Sequence, residues 1–237
     1  MTTLNDGELS ICLYPGFQPI ASQNTAGDWH GWDVVFLRDF AASLDLAFRP
    51  TPIEPFDGIW RLPGEDVCDI AGSGITITEQ RQQDSPGTVW SDTYYVTNRA
   101  FVARVEDQGQ VQGVADFSGH TVIVTQGSTA DLDLRRWIAR DNVADVTIDY
   151  THNAEDAARR VLDHEAFAYG SGEVTTNYLA TLYPGLVTVW PHPYLQADGT
   201  TRRERFSFVV RAADDGLVEA LNAYIAANSA RYGQDDG

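Results

Sequence analysis

No lysine occurs anywhere in the 237 residues: all 16 basic side chains are arginine, set against 34 acidic ones for a net charge of −18. Nucleic-acid binders need clustered basic residues to displace counterions from phosphate, so this balance excludes that class, and an anionic membrane surface would repel the chain likewise. Such acidity suits a salty medium, where screening shortens the reach of charge to about 3 Å at molar ionic strength. Long apolar stretches are lacking too. No run reaches 18 residues, and Met1-Thr2-Thr3-Leu4-Asn5-Asp6 has neither the basic nor the apolar region of a signal peptide. The chain is therefore expected to be soluble as given, either as a mature domain whose export signal lay upstream or as one that never carried a signal. Cysteine is scarce. Cys12 and Cys68 each sit in an apolar, strand-like run, and two buried reduced thiols are expected there. Neither they nor the five histidines show metal-ligand spacing, so no metal is expected. Gly72-Ser73-Gly74 lacks the rest of a dinucleotide fingerprint, and no phosphate-binding loop or nucleophile elbow is present.

What remains is an ordered globular composition, 43% apolar and 21% charged, in a chain long enough for two lobes sharing one polypeptide. Leu9 to Tyr14 reads as a buried strand closed by Pro15-Gly16. Val35, Phe36, Phe40 and Leu44 draw one stripe along a helix opening at Trp32. A second strand near Ala47–Arg49, a helical stretch from Phe56 to Leu62 and a strand at Asp69 entering a Gly-rich loop follow. The alternation restarts at Arg99–Arg104, continues with Thr121–Thr125 and the Gln126-Gly127-Ser128-Thr129 loop before a helix, then a strand at Ala166–Tyr169 and a helix from Glu173. A last strand, Phe206–Val210, leads into a helix with Leu217, Leu221 and Ile225 on one face, capped by Asp214 or Asp215. Strands alternating with helices imply an α/β protein with mainly parallel sheets.

Four landmarks, Phe17-Gln18-Pro19, Gly31-Trp32-Asp33-Val34, Asp69 through Thr78 with Arg81, and Trp90-Ser91-Asp92-Thr93-Tyr94-Tyr95, resemble those of the type 2 periplasmic solute-binding proteins of ABC importers, in the polar amino acid branch. The resemblance spans nearly the whole chain. It implies a two-lobed periplasmic-binding-protein type 2 fold, each lobe a mainly parallel sheet flanked by helices, joined by two hinge strands, with the ligand between the lobes. Residues 1–96 and 195–237 would build the first lobe and 97–194 the inserted second. It also implies a periplasmic or extracellular location with membrane association through a removed signal or anchor, a permease as partner, a small carboxylate or amino acid as ligand, a monomer, and no cofactor.

By this resemblance Arg81 clamps the ligand carboxylate, which a planar guanidinium can hold bidentately; the plain alternative is a surface arginine paired with Glu79 or Asp84. Gly74 and Thr76 belong to the same loop, one permitting close backbone approach and the other adding a hydroxyl. Phe17 and Phe56, the latter 13 residues before Asp69, would place rings on either side of the ligand side chain, with core packing as the alternative; Trp60 and Trp90 are weaker candidates. Ser128 and Thr129 stand where a helix begins, and the free N–H groups there form an anion seat unless they serve only as an N-cap over Asp131. Amino acid binders of this family place an aspartate after the strand ending at Tyr169, whereas this sequence has Gly170 and Ser171. Glu173 is then the nearest acid for a ligand ammonium, although a carboxylate at a helix start also serves the helix alone. The same Glu173 resembles the glutamate of cyclohexadienyl dehydratases, in which it would act as general acid on prephenate or arogenate; the Gln126–Thr129 loop resembles a binder's instead.

Overall fold

In the computed structural model, which describes residues 2–213, 215–228 and 230, the chain divides into two compact units. One comprises the residues up to Val96 together with those from Arg205 onward, the other Thr97–Glu204. The return to the first unit thus comes at Arg205 rather than at residue 195. The reason is local: Tyr194–Leu195 pairs with Thr201–Arg202 as a hairpin, and Arg136 binds it through a cation–π contact with the Tyr194 ring and a hydrogen bond to the Leu195 carbonyl. Both crossings fall within short strands, Tyr95–Thr97 and Glu204–Phe206.

In the first unit the sheet order is Ala47–Pro52, Glu8–Leu13, Ile70–Ala71, Val209–Arg211, Thr88–Trp90. The first three strands are parallel, and Val209–Arg211 runs against both of its neighbours. Four of the five strands therefore point the same way, as βα alternation dictates. The helix Trp32–Ser43 lies on this sheet and buries Val34, Phe36, Leu37, Phe40 and Ala41. Val35 is exposed, so the expected stripe is rotated by one residue. Gly31, at the helix start, has φ +113, and a Cβ there would lie 2.4 Å from the Ile20 carbonyl oxygen; only glycine permits this entry. The stretch expected as helix from Phe56 is a 3₁₀ turn over Ile59–Glu65. The closing helix spans Asp215–Asn228 and buries Leu217, Leu221 and Ile225, while the cap assigned to Asp214 or Asp215 lies outside the described residues and side chains.

Cys12 and Cys68 form a disulfide, Cα atoms 5.8 Å apart, which corrects the expectation of two thiols. The cause is strand pairing. Parallel pairing of Cys12 with Ala71, together with the Asp69 N–H donating to the Ser10 carbonyl, draws Cys68, two residues before the strand Ile70–Ala71, up to Cys12. Asp69, fully buried, accepts from the N–H groups of Leu4 and Ser10 and anchors the chain start to the same spot.

The second unit repeats the pattern: Thr147–Thr151, Thr121–Thr125, Ala168–Gly172, Arg99–Arg104, Leu186–His192, with Arg99–Arg104 antiparallel to both neighbours. Alternation along Arg99–Arg104 sends Phe101 to one face with Phe117 and Val124, and Val102 to the other with Ile123 and Tyr169. Ser128 caps Thr129–Asp141 and Asn153 caps Ala154–Leu162, the Asn153 Oδ1 accepting from the N–H groups of Glu155 and Asp156. Among the described residues no helix is long and apolar enough to cross a membrane, and no cluster of three or more metal-ligating side chains occurs.

Candidate ligand-binding site

In open α/β sheets, ligand-binding loops leave the C-terminal ends of parallel strands. In the first unit that loop is Gly72–Thr78, which follows Ile70–Ala71. Ser73 and Gly74 both have positive φ, 84° and 64°, a conformation that costs energy for a non-glycine residue unless its surroundings hold it. Here they do. The Asp33 carboxylate Oδ2 accepts the Ser73 N–H at 2.7 Å and the Gly74 N–H at 2.8 Å, and the Ser73 hydroxyl accepts the Tyr14 N–H at 2.9 Å. The Tyr94 hydroxyl donates to Asp33 as well, 2.8 Å from both carboxylate oxygens; its ring is stacked on Phe208 at 4.2 Å. Asp33 is fully buried. Burial pushes its carboxyl up to about 6 from the usual 3.8, against the lowering effect of hydrogen bonds from Gly74, Tyr94 and Ser73. The same burial, followed by the Asp33 charge, holds the Tyr94 phenol well above its usual range, so it stays a donor.

Arg81 follows on the short helix Glu79–Gln83, capped by Thr78, whose hydroxyl accepts the Arg81 N–H. Its side chain does not turn outward: the residue is 3% exposed. Its guanidinium donates through Nη1 to the Thr76 carbonyl at 3.0 Å and lies over the Trp60 ring at 4.2 Å and the Phe56 ring at 5.6 Å. Asp84 lies 3.7 Å from Arg61, and Glu79 accepts from Gln83. Thr76 is buried and bridges to Phe206, and a Cβ on Gly74 would come within 3.0 Å of Ile20. Thr76, Arg81 and Phe56 are thus brought together, with Gly74 two residues before Thr76 on the same loop.

Phe17 and Phe56 sit 4.7 Å apart, edge to face, with Tyr14 against both. They form one continuous aromatic wall instead of two rings flanking a slot, because edge-to-face contact is the favoured packing of adjacent rings. Trp60, ranked low from the sequence, is the ring directly beneath the guanidinium. Trp90 is half-buried and donates its indole N–H to Ser85.

In the second unit Ser128 and Thr129 are both buried. The Ser128 hydroxyl accepts the Asp131 N–H at 3.3 Å and Asp131 accepts the Gly127 N–H at 3.1 Å, so the capping role holds. Ala168–Gly172 carries the strand three residues past Tyr169, which places Gly170 and Ser171 inside it. A Cβ at Gly170 would lie 2.6 Å from Phe101; the ring occupies the volume an aspartate would need. Glu173 opens the next helix, half-buried, and its Oε2 accepts the Asn98 amide N–H at 2.9 Å.

Asp33, Tyr94 and Asn98 were not singled out from the sequence. Asp33 and Tyr94 lie inside the quoted landmarks, but a carboxylate opening a helix and a tyrosine in a crossover give no sign of meeting until the sheet is folded.

Both units are α/β sheets of this topology, and the first sets a buried guanidinium beside a strained loop at the C-terminal edge of its sheet. The chain belongs to the bacterial extracellular solute-binding proteins, family 3, whose model matches residues 9–232. Comparison with curated proteins gives no match. Among solved structures the chain is similar to an ancestral arginine-binding protein bound to arginine, at 22% identity over 93% of this chain and 92% of that one, TM-score 0.78. It is also similar to an amino acid ABC transporter substrate-binding protein from Streptococcus pneumoniae bound to L-arginine, at 17% identity, 95% and 90% coverage, TM-score 0.78. A third is an ancestral amino acid-binding protein described as a precursor of cyclohexadienyl dehydratase, at 21% identity, 93% and 89% coverage, TM-score 0.77. At these identities the likeness speaks for the fold.

Proposed function

We propose that this chain is the solute-binding component of an ABC importer, that its ligand is an amino acid, and that Arg81 holds the ligand's carboxylate. The observation that carries the reading is the inward guanidinium, fixed on the Thr76 carbonyl and the Trp60 face. Charge-assisted hydrogen bonds from such a group are worth about 1.5–3 kcal/mol each. Gly74 and Thr76 supply the loop, and the Phe17–Phe56 wall supplies apolar and cation–π contact for a side chain. On hinge closure Ser128, Thr129 and Ser171 would add a second grip and Glu173 would receive the ammonium, since position 170 offers no acid. Arginine is the first ligand to test: two relatives in this fold hold it, and a net charge of −18 concentrates cations near the surface.

In this reading the protein works outside the cytoplasmic membrane as a monomer, associated with the membrane through an upstream signal or anchor, and hands its ligand to a permease. Titration calorimetry against arginine, glutamine and succinate tests it. Binding of an amino acid that weakens about 100-fold in Arg81→Gln is expected, the loss of one or two charge-assisted bonds; no heat with any amino acid would sink the proposal. A dehydratase role for Glu173 gains no support from its contact with Asn98, and an assay for turnover of prephenate or arogenate checks the point, with none expected.

A further inference from the structure

We propose that Asp33, which touches no ligand in the scheme above, is the positioning residue for the ligand loop, and that full affinity requires its ionised carboxylate. The inference rests on the proposed carboxylate site but on different atoms.

An ionised carboxylate only accepts hydrogen bonds. Asp33 uses one oxygen for two consecutive backbone N–H groups, Ser73 and Gly74, in a stretch whose φ values are both positive. Two residues later come Thr76 and the carbonyl that orients Arg81. The carboxylate thus sets the direction of the loop from beneath while leaving its outer side to a ligand. The sequence makes room for this. Gly72 has no side chain, and a Cβ there would press on Leu13 and Leu37 at 3.2 Å and approach Asp33 at 3.5 Å.

Protonating Asp33 turns an acceptor into a donor and weakens both backbone bonds, charge-assisted bonds being roughly twice as strong as neutral ones. Because burial raises the acid to about 6, this happens just below neutral pH. Among the described residues, the groups that hydrogen-bond to the carboxylate are the Tyr94 hydroxyl and the amides of Ser73 and Gly74, none charged. Tyr94 lowers the acid's affinity for a proton, so losing its hydroxyl moves the transition to higher pH.

Two measurements on the whole chain test the proposal. Amide NMR of the free protein between pH 5 and 7.5 should show the Ser73 and Gly74 resonances titrating near pH 6, with a higher midpoint in Tyr94→Phe. Flat resonances would overturn the tether whether or not a ligand is known. Calorimetry with arginine should give affinity about tenfold weaker at pH 5 than at pH 7.5, with the midpoint raised in Tyr94→Phe and the dependence gone in Asp33→Asn. If the resonances titrate while affinity stays level with pH, or if Asp33→Asn keeps the wild-type slope, positioning is refuted. If the wild type binds no amino acid, the transport reading falls while the amide titration still decides the tether. Should Asp33→Asn fail to fold, the Tyr94→Phe midpoint remains decisive.

Discussion

In the first unit the reversed strand, Val209–Arg211, is the last to be added; in the second the reversed strand, Arg99–Arg104, comes before any other. The sheets are otherwise alike, yet their candidate loops are held by different means. Gly72–Thr78 is strained and tied down by a buried acid from another element, with a disulfide joining the first strand to Cys68, just ahead of the strand from which the loop leaves. Gln126–Thr129 is held by its own helix, through the Ser128 cap and Asp131. A loop tethered from outside can keep a conformation it would not choose, at a cost to the fold; a self-capped loop costs little and contributes only what any helix start offers.

That contrast can be broken at several points. Replacing Cys12 and Cys68 together with serine should destabilise the first unit by about 4 kcal/mol, the cross-link closing a loop of 56 residues in separation, while probes in the second unit are unchanged; denaturant unfolding followed by amide exchange reads both. Asp33→Asn should act on the pH dependence of stability. An acid raised from 3.8 to about 6 by burial contributes stability that is present below pH 3.8 and lost as pH rises through 6. Its contribution should therefore fall by on the order of 3 kcal/mol between pH 3.8 and 7.5, so the wild-type melting temperature should lose more over that range than that of Asp33→Asn; parallel pH slopes would contradict the tether's cost. Gly170→Ala should destabilise the second unit by about 1–3 kcal/mol through collision with Phe101, and Phe101→Leu should relieve it, as paired melting curves would show. Ser128→Ala should lose about 1 kcal/mol, the usual worth of a cap, and change ligand affinity less than Arg81→Gln does.

The sequence disclosed what local pattern and familiar landmarks carry: strand–helix alternation, the loop after Ile70, and the arginine that follows it on the next short helix. It hid what depends on strand neighbours. Cys12 and Cys68 meet because the first and third strands pair, which no spacing announces. Val35 shares the apolar periodicity yet is exposed, because periodicity does not say which edge of a stripe faces the sheet. Trp60, the ring beneath Arg81, is carried by the turn at Ile59, whose 3₁₀ geometry has no strong signature.

Gly170 carries a consequence for how this site can change over generations. With the Phe101 ring 2.6 Å from where a first side-chain carbon would stand, an acid cannot be acquired there by one substitution without a clash, and trimming the ring first leaves a void in the core of the second unit. Either order passes through a weakened intermediate, so the gain of an acid at this point of the strand is obstructed by an aromatic ring on the neighbouring strand.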